Sequence, residues 1–246
     1  CDVQRGLGYV YNGFAVDPPG ALSAGYGENP PAFGVDFFEG PYQDSDNIDN
    51  PLTTNFIDAV DSLGIPYEGI GIGYGDGVID NERFGMRKFL YHNFGSSGVQ
   101  GLPGVGPDFY NYMRGFWLNN QRMAYGGDGL NPGTGADLSI PADYMFPGDT
   151  DPFSWGTGGV DVQPWTEQSS DNAAGDRLFL QSAGPFTLEP GDYNNITVGL
   201  VYARANAGDP FESVELLRVA DDKAQALFDN CFEIVSGPDA PDVAVQ

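Results

Sequence analysis

Two short acidic stretches carry the side chains most able to do chemistry. The first holds Asp44, Asp46, Asn47 and Asp49; the second, in GDGVIDNE, holds Asp76, Asp80, Asn81 and Glu82. Calcium takes about six to eight hard oxygens, and closely spaced Asp, Asn and main-chain carbonyls in a glycine-containing loop supply them. The second stretch is not an EF-hand. In that register the first and third ligand positions fall on Ile72 and Tyr74, and the bidentate acid position on Arg83. The expectation is a calcium loop of another kind, shared between the stretches, with Asp44, Asp46, Asn47, Asp49, Asp76, Asp80 and Glu82 as ligands. Asp149 and Asp151 make a sparser third candidate. The competing reading of all these acids is turn and capping chemistry, in which carboxylates bond nearby peptide N–H groups.

Other chemistries lack their residues. A single histidine, His92, leaves no His-Glu-x-x-His pair and no Cys/His zinc cluster, and its aromatic strand context marks it as structural. No Gly-x-Ser-x-Gly elbow is present, and GIGIGYGDG lacks the strand–turn–helix setting of a phosphate-binding loop. Paired carboxylates could hydrolyse glycosides, but 35 acidic residues make some such pair unavoidable. No catalytic residue is assigned. Trp155 and Trp165 could stack on sugar rings, the physical basis of carbohydrate binding, against the competing reading that both pack in the core. Asn195-Ile-Thr197 fits the N-glycosylation pattern, and Asp61-Ser62-Leu63 resembles a short O-glycosylation acceptor.

Cys1 and Cys231 stand near opposite ends of the chain. Paired, they would close a loop of nearly the whole chain, which the chain-entropy model values at roughly 5 kcal/mol. The alternative is a buried thiol at Cys231 and a processed or lipidated Cys1.

Several elements must position these groups. Gly6 to Gly40 reads as short strands and turns, and Met86 to Phe94 as a strand. Phe109, Tyr112, Met113, Phe116 and Trp117 fall on one face of a helix over 107–118. The stretch 125–171 is a long loop pinned by its aromatic residues. Strands are predicted at 176–188 and 193–204, joined through Glu189-Pro-Gly-Asp192 by a hairpin or a crossing between sheets. Ile196, Val198, Leu200 and Tyr202 then share one side. Asp209-Pro210-Phe211-Glu212 opens the last helix, whose apolar stripe is Val214, Leu217, Ala220, Ala224, Leu227, Phe228 and Cys231. After Gly237 the chain reads as a linker and the start of a following domain.

The 246 residues suffice for one domain, and 41% hydrophobic and 13% aromatic content argues for a folded chain despite 36 Gly and 19 Pro. A formal charge of −25 opposes binding to nucleic acid and to anionic membranes. No apolar run approaches the roughly 18 residues of a membrane span, and no secretory leader is visible. The expected fold is α+β and β-rich: a sandwich-like sheet core, long structured loops and a long C-terminal amphipathic helix, with 1–236 as one module and 237–246 as linker.

Six segments together carry a resemblance: NPPAFGVDFFEGP (29–41), GDGVIDNERFGMRKFLYHN (75–93), DFYNYMRGFW (108–117), YMFPGDTDP (144–152), GDRLFLQSAGPFTLEPGD (175–192) and SVELLRVADDKAQALFDNCF (213–232). In this order they resemble an uncharacterised region of large secreted proteins of Bacteroidota exported by the type IX secretion system. The resemblance implies an extracellular or outer-membrane-attached address and further domains, with no cofactor or activity to carry over. The functional expectation is a non-catalytic structural or adhesive module, its loops braced by calcium. Its partners would be other domains of the same protein or surface-assembly components. The alternative is a carbohydrate-binding module whose partners are glycans.

Overall fold

The computed structural model describes residues 1–20, 24–67, 71–94 and 98–233. The expected linker at 237–246 and the start of the glycine-rich run at 68–70 lie outside them. In chain order the elements are β1 (Leu7–Tyr11), β2 (Val16–Asp17), β3 (Gly27–Glu28), β4 (Ala32–Glu39), β5 (Lys88–Asn93), α1 (Gly106–Met113), β6 (Ala124–Tyr125), β7 (Asp137–Pro141), β8 (Arg177–Ser182), β9 (Thr197–Ala203) and α2 (Glu212–Asp229). The class is the expected strand-rich α+β with a C-terminal helix. The expected sandwich is not its organising feature, because the sheets are small and open. One antiparallel sheet runs β1-β4-β9, and β2–β3, β5–β8 and β6–β7 are separate two-stranded pairs. Strands β8 and β9 part into different sheets, so Glu189-Pro-Gly-Asp192 belongs to a crossing and not to a hairpin.

Helix α2 covers one face of the three-stranded sheet. Leu7, Ala32 and Val201 meet Val214 and Leu217 there, all nearly inaccessible to solvent. Full burial of such aliphatic side chains contributes about 2 kcal/mol each. Gly34 of β4 permits this approach: a Cβ at that position would lie 2.7 Å from Leu7 Cδ1 and 3.2 Å from Leu217 Cδ2. The β5–β8 pair packs across β1 at Gly8, where a Cβ would crowd the rings of Phe89 and Phe179. The larger core gathers Tyr67, Phe84, Leu90, Tyr112, Trp117, Tyr144 and Met145, and Trp155 and Trp165 fasten the long 125–171 segment to it.

In β9 the expected alternation holds: Val198, Leu200 and Tyr202 share the solvent side, and Gly199 and Val201 are buried on the other. Details of both helices depart from the sequence reading. Helix α1 ends at Met113, and Phe109 and Met113 are exposed while Tyr112 alone is buried in the helix. The α2 stripe fades past Ala224, with Leu227 exposed, and its buried face includes a residue absent from the expected stripe, Asp221. Asp209 is not the helix N-cap: Phe211 takes that position without a side-chain cap bond, and Asp209 Oδ1 holds the preceding turn by accepting from the Phe211 N–H at 2.7 Å.

The cysteines do not form a disulfide. Cys1 is buried, its Sγ donating to the Met145 carbonyl at 3.5 Å, whereas Cys231 is exposed just beyond α2. The burial expected of Cys231 is therefore found at Cys1. No helix among the described residues is long and apolar enough to cross a membrane.

Candidate functional site

The two acidic stretches meet in space, as expected, along a seam between residues 42–50 and 71–84. Main-chain bonds start it: Gln43 N–H donates to the Glu82 carbonyl at 3.0 Å, Phe84 N–H to Pro41 at 2.9 Å and Gly75 N–H to Asn50 at 2.9 Å. Carboxylates then close it. Asp49 accepts from the Gly75 and Gly77 N–H groups, both at 2.8 Å. Asp80 Oδ1 accepts from the N–H groups of Asp46 at 2.8 Å and Asn47 at 2.9 Å. Buried Glu82 accepts from the Asn50 N–H. Asp46 accepts from Ile48 and, across to another turn, from Ser62 at 3.1 Å. Asp76 holds its own turn through the Val78 N–H at 2.7 Å and the Asn81 side-chain amide at 2.8 Å. Asp44 reaches away from the seam to Thr187, taking its N–H and hydroxyl at 2.7 Å each. Asn47 and Asp80 adopt the left-handed backbone, at φ 63° and 58°, which these residue types tolerate in turns.

In this arrangement peptide N–H groups are the partners of the carboxylates. Among the described residues no three His, Cys, Asp or Glu side chains converge as a metal site would require. Nor do Asp149 and Asp151 form one: Asp149 is exposed, and Asp151 accepts from the Trp155 and Gly156 N–H groups at 2.9 and 2.7 Å. Burial raises the Asp151 carboxyl above the ordinary range, against the pull of those two bonds. Arg83, at the end of the seam, pairs with Glu39 at 3.1 Å, donates to the Gly40 carbonyl at 2.8 Å and lies 3.7 Å from the centre of the Tyr42 ring.

Trp155 and Trp165 are not sugar platforms. Each is 3% exposed. Trp165 sits edge-on to Phe146, and its indole N–H donates to Gly127 at 3.1 Å and Ser170 at 2.9 Å. Long loops on a small sheet leave much apolar area to cover, and the largest rings cover it. His92 stacks on Tyr112 at 5.3 Å, and burial lowers its pKa, favouring the neutral ring. Asp61 is buried and holds its own turn by accepting from the Leu63 and Ile65 N–H groups, while Ser62, whose hydroxyl an O-glycan would take, is exposed.

Sequence reasoning missed two features. The first is a trio of buried acids under α2. Asp2 is inaccessible and paired with Arg5 and Arg218, both at 3.0 Å. Asp36 on β4 and Asp221 on α2 are each 1% exposed, and each leaves its Oδ1 without a hydrogen-bond partner. Desolvation, reinforced by the charge of Asp221, pushes the Asp36 carboxyl up to about 8. Desolvation, with Asp222 close by, pushes Asp221 up to about 7. The second is a groove of about 970 Å³ beside β1, walled by the 146–149, 164–168 and 174–177 segments and by the start of α2. On its wall the Tyr11 hydroxyl donates to Glu167 at 3.2 Å and accepts from Gln168 at 2.9 Å, and the Asn172 amide holds the other Glu167 oxygen at 2.9 Å. The only signal that could have found the groove is the run of aromatic residues in β1, and its spacing looks the same in a core strand.

Set beside known protein families, curated proteins and solved structures, the chain matches none of them.

Proposed function

We propose that the chain is a non-catalytic structural and adhesive module of a larger extracellular bacterial protein, stiffened by its own carboxylates. The observation supporting this reading is the seam between 42–50 and 71–84. Acids that elsewhere would only solvate a surface there tie loop to loop through directed bonds to peptide N–H groups. A bond to a charged acceptor stabilises by about 1.5–3 kcal/mol, so a few of them can order segments that bury little apolar surface. The resemblance to type IX-exported proteins of Bacteroidota supports an address at the cell surface or beyond it. Other domains of the same protein and surface-assembly components are the partners this reading assigns.

Two measurements test it. The purified chain is incubated with a panel of chromogenic glycosides and esters, and no turnover is expected; hydrolysis at a catalytic rate overturns the non-catalytic reading. Melting curves in excess chelator and in added calcium are expected to coincide within about a degree, since a cation specific for the folded state would raise only one of them. A gap of several degrees would assign the bracing to calcium.

A further inference from the structure

The groove beside β1 combines an unpaired strand edge with exposed rings and uncommitted carboxylates. None of these takes part in bracing the loops. Leu7 exchanges two main-chain bonds with Asp2, at 2.8 and 3.0 Å, on the side away from β4. Main-chain groups in a strand turn to alternate sides from one residue to the next. Tyr9 and Tyr11 therefore present their N–H and C=O to the same outer edge as Leu7. Among the described residues, no other backbone group meets them there. Residues 9–14 line the groove without a break, so this edge is one of its walls.

Charge selects the occupant. Asp149 and Asp176 are exposed on the groove, and neither carboxylate has a hydrogen bond or ion pair among the described residues. Both guanidiniums of the groove are already engaged. Arg177 donates to Asn93 and the Ala173 carbonyl and lies over the Tyr91 ring, while Arg218 pairs with Asp2 and Glu215. Arg177 keeps its charge, its partners being neutral, but Asp17, Asp149, Glu167, Asp176 and Glu215 outnumber the two guanidiniums along the groove, so an anionic ligand would meet net repulsion. A cationic one would meet the carboxylates of Asp149 and Asp176, in a groove that Phe33 and Tyr202 also line. The net charge of −25 draws such a ligand in and opposes a second copy of the same chain.

We propose that the groove takes an extended polypeptide segment bearing lysine or arginine, which adds as a strand to the outer edge of β1 with its cations at Asp149 and Asp176. Strand addition supplies affinity through the main chain, and alternate side chains supply selectivity. A neutral glycan would use the rings but neither the edge nor the charge. The inference rests on the groove and not on the acidic seam, so it and the bracing reading can fail separately.

Fluorescence anisotropy tests it with a short labelled peptide alternating lysine with threonine or valine. Its controls are the glutamate counterpart, the lysine peptide N-methylated at alternate residues, and unlabelled cello- and xylo-oligosaccharides as competitors. The N-methylated peptide keeps every charge, so it separates strand pairing from plain attraction to an acidic surface. Binding of the lysine peptide is expected, with affinity falling about tenfold or more on N-methylation. A several-fold fall is expected in an Asp149→Asn, Asp176→Asn double variant whose circular dichroism is unchanged. No measurable binding, affinity surviving either change, or displacement by the oligosaccharides overturns the proposal.

Discussion

Asp36 and Asp221 show what an acid does when its burial outweighs the compensation it receives, here the Phe37 N–H for Asp36 and the charge of Arg5 for both. Ionising either places a charge between β4 and α2 with one oxygen unbonded, so both carboxyls are held protonated well above the ordinary range. The unfolded carboxyl of Asp36 titrates near 3.8 and the folded one near 8. Between those values the folded chain binds more protons than the unfolded chain, so stability declines as pH rises through this window and levels off above it. Asp221 acts in the same direction, and the two titrate as a pair. Asp36→Asn keeps the shape and removes the titration. Denaturant melts of this variant are expected to lose most of the decline between pH 5 and pH 9 and to exceed the parent at pH 9 by on the order of 2 kcal/mol. An unchanged pH profile would show that the carboxyl ionises without penalty. These positions were not legible in the sequence, because an Asp in a strand or helix reads as solvent-facing until its covering layer is known.

At the scale of elements, the seam acts as one unit in which each acid holds a turn or a neighbouring loop. Asp49→Ala removes the acceptor for both Gly75 and Gly77. It is expected to lower stability by about 1–2 kcal/mol and to open the 42–50 and 71–84 loops to limited proteolysis, whereas Glu189→Ala, at an exposed position, stays within about 0.5 kcal/mol. Equal cutting of the two variants would remove Asp49 as a brace. The meeting of the two stretches was legible from their composition, since clustered Asp and Asn signal loops that must be held. The peptide N–H partners were not, because calcium and a peptide N–H ask for the same oxygens at the same spacing. Helix α2 and strand β9 were legible because their periods are long and regular. The covering of β9 was not, because alternation separates two sides without saying which one meets α2.

At the scale of the whole molecule, short strands and long segments are gathered around aromatic side chains. The loop at 125–171 was expected to be pinned in this way, and Trp155 and Trp165 do it by going inward, which is why they are not available to sugars. The disulfide was illegible for a related reason: residue spacing fixes the length of a closed loop, not the layer in which each end comes to rest. The opposite fates of the two thiols have a practical consequence. A maleimide dye should attach to the intact molecule at Cys231 alone, giving a single-site label at the end of α2 with no engineered residue. Cys1 should become reactive only when its surroundings come apart, so counting reacted thiols against denaturant should rise from one to two per chain and follow the loss of tertiary structure without any optical probe.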